Sequence, residues 1–184
     1  FFAVNAFDLS IKQPIIYLYD PLTNHETYFN YPRTGTRGAE ADLQYRAEWG
    51  WLRSTLTVSR AQDNRVPDYA VPGQDRHMVG VPNVKATFAA HLKLTEALSF
   101  SPSVVAIGSR YTYESTGGPQ VRDATALVNA MLHYRIPNTK LLLTAGIHNL
   151  TNAQIGFPKA YQGTDGDTYP SQARDFFLRV GFNY

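Results

Sequence analysis

Apolar and polar residues alternate along most of this chain, and that two-residue period restricts its fold more than any other feature. In residues 38–47 every odd position is Ala, Leu or Tyr, whereas the even positions are Gly, Glu, Asp, Gln and Arg. The same alternation runs through 84–94, 124–136 and 176–184. Because successive side chains of a strand point to opposite faces, each stretch predicts a strand with one apolar and one polar face. Helical periodicity is hard to find anywhere, so the sequence predicts an all-β fold.

Four further stretches alternate less regularly, which brings the prediction to eight strands. They are residues 1–19, 50–61, 98–113 and 140–150. Several of the eight strands have about ten residues or more, whereas strands in globular proteins usually have about five or six. The sequence therefore predicts unusually long strands.

The connections between these strands alternate strictly between long and short. The long ones are rich in Gly, Pro, Asp, Asn and Tyr and comprise 20–34, 62–82, 113–121 and 156–171, whereas the tight turns are 48–50, 95–97 and 137–139. An antiparallel up-and-down meander with short turns at one end and long loops at the other is typical of transmembrane β-barrels. Such barrels need strands of about 9 to 11 residues, which these stretches provide.

Composition favours the membrane over water. Only 17% of the residues are charged, whereas soluble domains average about 25%. Both tryptophans, Trp49 and Trp51, lie at one short turn, where we expect the aromatic belt of the inner interface. The longest apolar run, 15–19, is too short for a transmembrane helix. A soluble lipocalin-like barrel or β-sandwich also alternates and stays an alternative.

Chemistry-bearing residues are sparse and scattered. The chain has no cysteine, and its five histidines show no spacing that would place two metal ligands on one site. We therefore predict no enzyme activity, no metal site and no cofactor. The net charge is +2 and the basic residues form no run, so we expect no nucleic-acid partner.

Four short motifs, in order along the chain, resemble one family. Residues 7–15 (Phe-Asp-Leu-Ser-Ile-Lys-Gln-Pro-Ile) are similar to the Phe-x-x-Asp-Ile-Lys-Asp-x-Ile strand of TonB-dependent outer-membrane receptors, and 37–43 contain a sequence that resembles their Gly-x-Glu-x-x-Leu strand. Residues 146–152 resemble the Asn-Leu-Phe-Asn element of the penultimate strand, with Thr151 in place of Phe. Residues 176–184 look like the terminal strand, which ends on an aromatic residue.

The resemblance implies a 22-stranded barrel with an N-terminal plug inside it. Residues 1–184 would then form a single barrel segment, the last eight strands, and the plug, the energy-coupling box and about fourteen strands would precede it. The chain begins at Phe1 without an initiator Met, which agrees with a longer chain or a removed signal peptide. We expect an assembly signal for the barrel assembly machinery at alternate positions of the last strand: Phe176, Leu178, Val180, Phe182 and Tyr184.

The implied function is import of a scarce nutrient, such as a ferric siderophore, across the outer membrane of a Gram-negative bacterium. The partners would be outer-membrane lipid, the ligand and, through the missing N-terminal part, the TonB energy-transducing complex. Ligand contacts are expected in the long outer loops, at Tyr69, Arg76, His77, Tyr161, Asp165 and Tyr169, because recognition concentrates on loops carried by a rigid scaffold. Tyrosines near strand ends could instead anchor the outer interface.

Charges on the polar faces must avoid lipid, because an Arg or Lys at the bilayer midplane costs about 2 to 4 kcal/mol. We therefore expect a row of polar-face residues to face the lumen or the plug: Glu40, Asp42, Arg46, Lys85, His91, Arg135 and Arg179. The sequence leaves open whether this face meets a plug or water.

One other function stays open at this stage, which is a complete eight-stranded barrel with a structural or adhesive role, or less readily a lipid-modifying enzyme. Eight strands can close into a barrel whose interior is just wide enough for side chains to fill it. Small residues at Gly38, Ala89, Gly146 and Gly181 leave the polar face thin, which argues against so narrow a barrel.

Overall fold

The computed structural model describes residues 1–20, 23–113, 118–158, 168–169 and 171–182, which form strands and one 3₁₀ turn, Pro67–Tyr69. The strands are β1 (Phe2–Lys12), β2 (Ile15–Asp20), β3 (His25–Asn30), β4 (Arg33–Ala47), β5 (Gly50–Ala61), β6 (Val84–Lys93), β7 (Leu98–Ile107), β8 (Arg110–Tyr113), β9 (Pro119–Arg122), β10 (Thr125–Arg135), β11 (Leu141–His148), β12 (Phe157–Pro158), β13 (Thr168–Tyr169) and β14 (Asp175–Phe182). No helix among the described residues is long and apolar enough to cross a membrane.

Eight of the strands form one antiparallel sheet in the order β1-β4-β5-β6-β7-β10-β11-β14. The prediction of an all-β, up-and-down meander of eight long strands is confirmed. The remaining strands form three two-stranded ribbons, β2-β3, β8-β9 and β12-β13, inside the long connections at one end of the sheet. Strands β1 and β14 are the edges of the described sheet, so these eight strands do not close on themselves.

Two of the predicted strands are wrong in their bounds. The stretch 1–19 breaks after Lys12, because Gln13 adopts a φ of +50° and Pro14 has no amide hydrogen to continue the ladder. The stretch 98–113 breaks after Ile107, although the Gly108 amide still donates to the carbonyl of Val84 at 2.8 Å in the register of β6 and β7. Beyond each break the same two segments pair again in unchanged register, as the outer ribbons β2-β3 and β8-β9.

The register gives the sheet one largely apolar face, on which Asp8, Arg37 and Arg60 form one charged row near the loop end. One row across it joins Val4, Ala41, Leu56, Ala86 and Ala106. A second row, on the other half, ends with Leu132, Ala145 and Leu178. Much of this face is open, and the Leu178 side chain is 73% exposed. An exposed apolar face of this extent is typical of a surface that meets a partner or a membrane.

The opposite face is polar, and aromatic rings cover two of its glycines, Gly38 and Gly146. Phe7 pairs with Gly38 across β1 and β4, and a Cβ added at Gly38 would lie 2.7 Å from the Phe7 ring. Phe177 pairs with Gly146 across β11 and β14, and its ring contacts the place where a Gly146 Cβ would stand. The two glycines therefore leave room for the neighbouring rings, and these rings cover part of the polar face where the side chains are small.

The two tryptophans lie on different faces. Trp49, in the turn between β4 and β5, has its ring 5.9 Å from that of Tyr45 on the apolar face. The Trp51 ring stacks on His91 of the polar face at 6.4 Å. The belt prediction is therefore wrong for Trp51, because the period of the strand directs position 51 to the polar face.

The two faces can be tested at adjacent residues in the middle of β10. Ala130 lies on the apolar face between Pro102 and Ile147, and Met131 on the polar face between Ser101 and Gly146. We expect Ala130→Arg to destabilise the folded barrel by about 2 to 4 kcal/mol, the cost of a cation in lipid.

The measurement is the amount of folded, heat-modifiable full-length protein in the membrane fraction. Met131→Arg is the matched control and should stay near the wild-type level. Equal losses in the two variants would contradict the assignment of the faces.

Candidate functional site

The long connection between β5 and β6 is a folded loop with its own small core. Val66 is fully buried and Val71 nearly so. The Val79 amide donates to the carbonyl of Tyr69 at 3.0 Å, and the Gly80 amide donates to the carbonyl of Tyr111 at 2.7 Å. The first bond closes the loop on itself and the second fastens it to the β8-β9 ribbon, so its backbone is held in place.

Two of the predicted ligand residues, Arg76 and His77, line one groove of about 650 Å³ at the loop end of the sheet. Arg37, Arg60 and Asp8 also line it, and Asp8 forms an ion pair with Arg37 at 3.5 Å. The groove thus carries three guanidinium groups, one carboxylate and an imidazole. This combination favours a ligand with negative charge and many hydrogen-bond acceptors.

The other predicted loop residues are not brought to this groove by the described contacts. Tyr69 lies in the 3₁₀ turn of the same loop, outside the set of described residues that line the groove. Tyr161 and Asp165 lie outside the described residues. Tyr169 is described through its backbone, which pairs with Phe157 in the β12-β13 ribbon. Their ligand role stays a prediction.

Asn149 organises the start of the last loop, which follows β11. Its side-chain Nδ2 donates to the carbonyls of Ala153 at 2.9 Å and Gln172 at 3.0 Å, and its Oδ1 accepts from the Ala153 amide at 2.8 Å. The residue is buried and has a φ of +51°, a conformation that Asn tolerates better than most residues. The motif at 146–152 thus contains the residue that joins both ends of this loop.

All seven residues predicted to face the lumen lie on the polar face of the sheet. The register places Glu40, Asp42 and Arg46 on one side of β4, and the same face continues through Lys85, His91, Arg135 and Arg179. Asp42 pairs with Arg53 at 3.1 Å. Their position opposite the apolar face agrees with the expectation, and contact with a lumen or plug stays a prediction.

A chain of hydrogen bonds crosses this polar face over four strands. The Ser101 hydroxyl lies 2.9 Å from His91 Nδ1 and 3.2 Å from His133 Nε2, and His133 Nδ1 lies 3.1 Å from the Thr144 hydroxyl. Lys93, Arg135 and both histidines line a groove of about 420 Å³. The two-residue period predicts that these residues lie on one face, but the hydrogen bonds between them depend on the register between strands.

The β8-β9 ribbon contains an arginine pair that the sequence analysis missed. Arg110 pairs with Arg122 across the ribbon and is 4% exposed. Its Nη2 donates to the carbonyl of Gly156 at 2.7 Å. Burial, and then the positive charge of Arg122, lower the pKa of the Arg110 guanidinium below its usual value. The alternation of apolar and polar residues does not predict that these two arginines face each other, because their contact depends on the pairing of β8 with β9.

Metal-binding geometry is not found in the part of the chain that the structure describes. Within it, no group of three or more His, Asp or Glu side chains could hold a metal ion. The protein's own side chains in this part therefore form no ready metal centre.

The sequence matches the family model described as "TonB dependent receptor-like, beta-barrel" over residues 1–150. The chain belongs to this family, and the fold resemblance stated from its motifs is confirmed. Among curated protein sequences, none matches the chain.

Solved structures of receptors share the fold. The siderophore receptor PiuA from Acinetobacter baumannii matches with a TM-score of 0.76 and 17% identity, covering 100% of this chain and 26% of that one. The ferric-catecholate import receptor Fiu from Escherichia coli matches with a TM-score of 0.73 and 16% identity over 97% of this chain and 24% of that one. A mutant ferric enterobactin receptor from Pseudomonas aeruginosa, in complex with enterobactin, matches at 0.67 and 17% identity over 97% and 28%. The chain thus spans about a quarter of the length of these receptors.

The terminal strand carries the predicted assembly signal on the apolar face. Phe176, Leu178, Val180 and Phe182 pair with the apolar residues of β11 at alternate positions. Tyr184 lies outside the described residues. Recognition by the assembly machinery stays a prediction.

The role of Asn149 can be measured by removing its side chain without restricting its backbone. Asn149→Gly keeps access to positive φ but removes three side-chain hydrogen bonds, so we expect local destabilisation by about 2 to 4 kcal/mol. Limited proteolysis of the full-length protein should then cleave the last loop faster.

Asn138→Gly is the matched control, because Asn138 also has a positive φ, +60°, and lies exposed in a tight turn. Cleavage of the last loop should be unchanged in that variant. If Asn149→Gly is cleaved at the wild-type rate as well, Asn149 does not hold this loop.

Proposed function

We propose that the chain is a barrel-wall and outer-loop segment of a TonB-dependent receptor that imports a scarce nutrient, such as a ferric siderophore, across the outer membrane of a Gram-negative bacterium. The match of residues 1–150 to the family model carries this proposal. Two of the similar structures are described as a siderophore receptor and a ferric-catecholate import receptor. The proposal is one of transport, and no catalytic step is assigned to the chain.

The groove at the loop end is the part of the chain proposed to contact the ligand. Ferric complexes of catecholate or hydroxamate type present oxygen atoms that accept hydrogen bonds, and many carry net negative charge. Arg37, Arg60, Arg76 and His77 offer charge-assisted hydrogen bonds to such oxygens. Ring contacts of Tyr69, and of the tyrosines of the last loop, with the ligand stay a prediction.

The polar face is proposed to line the lumen and to meet the plug of the full-length receptor. Its charges of both signs and the hydrogen-bond chain through His91 and His133 suit a polar partner surface. The partners of the full-length protein would be outer-membrane lipid on the apolar face, the TonB complex through the N-terminal part and the assembly machinery through the last strand.

Import is tested with the full-length protein in an iron-restricted strain that lacks other receptors for the supplied chelate. We expect uptake of radiolabelled iron, presented as a ferric catecholate complex, to depend on the protein and on TonB. Arg76→Ala combined with His77→Ala should weaken ligand binding by about tenfold or more, since each removes a polar contact from the groove.

Arg65→Ala is the control, because Arg65 is an exposed arginine of the same loop that does not line the groove among the described residues. Its uptake should equal that of the wild type. Uptake that is independent of TonB would overturn the proposed transport, and equal binding by the double variant and the control would remove the groove from the ligand site.

A further inference from the structure

The most concentrated set of unpaired buried polar atoms lies on the β8-β9 ribbon, away from the groove of Arg76. Arg110 Nη1, Arg122 Nε and Thr112 Oγ1 are buried and have no hydrogen-bond partner. They account for three of the five such atoms found in the described part of the chain. Buried donors without partners are rare and costly in native proteins, so a cluster of three indicates an absent acceptor.

The three residues lie on one face of the ribbon. Arg110 and Thr112 are two positions apart on β8, and Arg122 is directly opposite Arg110 on β9. Directly opposed residues of an antiparallel pair have Cβ atoms about 4.5 to 5.5 Å apart, and like charges there repel. Within the described residues neither arginine has a carboxylate at ion-pair distance.

A small cavity lies beside Arg122, one member of the pair. A cavity of about 240 Å³ is lined by Arg122, Gly156 and Ser171, and the carbonyl of Gly156 accepts the Nη2 hydrogen bond from Arg110. A water molecule takes about 30 Å³ in the liquid, so the cavity has room for a small ion with a few waters. A bulky iron chelate would not fit in it.

We propose that the Arg110–Arg122 pair, with the Thr112 hydroxyl, binds a free tetrahedral oxyanion such as phosphate or sulfate. Such an anion accepts several hydrogen bonds at once and neutralises the two opposed guanidinium groups. It would join the β8-β9 ribbon to the segment around Gly156 and Ser171, that is, two outer loops that are far apart in sequence. This site is separate from the proposed ligand groove and does not rest on transport.

The site can be tested by equilibrium dialysis of the full-length protein in detergent against radiolabelled inorganic phosphate. We expect saturable binding that sulfate displaces and chloride, at equal ionic strength, does not. Arg110→Gln with Arg122→Gln should abolish this binding, whereas Arg65→Gln with Lys140→Gln removes the same charge from exposed positions and should retain it.

Thr112→Val provides a variant that keeps both charges and the side-chain volume. It should weaken phosphate binding by about tenfold, since one hydrogen bond to a charged group is lost. This variant decides the question if the double variant fails to assemble. Unchanged binding in Thr112→Val and Arg122→Gln, or binding no stronger than that of chloride, would overturn the proposal.

A last competition experiment distinguishes a site for a free ion from a site for a phosphate ester. Adenosine 5′-monophosphate carries the same phosphate group on a nucleoside, and the whole molecule exceeds the cavity of about 240 Å³ beside Arg122, so it should not displace the labelled ion. Displacement at the potency of inorganic phosphate would overturn the assignment to a free oxyanion.

Discussion

The structure depends on the need to satisfy every backbone hydrogen bond in a medium without water. In lipid this requirement permits β-strands only when each strand pairs with a neighbour on both sides. The long antiparallel strands from β4 to β11 meet it, and their tight turns keep neighbours along the chain adjacent in the sheet. One face of the same strands can then be apolar and the other polar, which is the arrangement from Val4 across to Leu178.

Much of this arrangement was predictable because the side-chain period of a strand is two. Counting alternate residues places Ala130 and Met131 on opposite faces without knowledge of the partner strands. The breaks after Lys12 and Ile107 were not predictable in this way, since counting alternate residues does not show where a strand stops pairing with its neighbours. A positive φ at Gln13 accompanies the first break, and the residues beyond both breaks pair with each other in the outer ribbons.

The functional residues also divide into those that the sequence predicts and those that only the pairing of the strands reveals. The charged residues of the polar face could be predicted one by one, but the bond chain through Ser101 needs the register of four strands. Arg76 and His77 were predicted from residue type and loop position, whereas their neighbours in the groove, Arg37 and Arg60, come from β4 and β5. The pair of Arg110 and Arg122 could not be found without the β8-β9 ribbon.

The central claim is that one face of this sheet meets lipid and the other an aqueous or protein-filled interior. It is tested most directly by scanning β10 of the full-length protein in lipid vesicles with nitroxide labels on single cysteines, since this chain has no cysteine of its own. Collision rates with oxygen and with an aqueous nickel complex are measured at each position from 126 to 134. The account predicts a two-residue period, with even positions such as Val128 and Ala130 accessible to oxygen and odd ones protected from it. A flat profile, or odd positions in lipid, would contradict it.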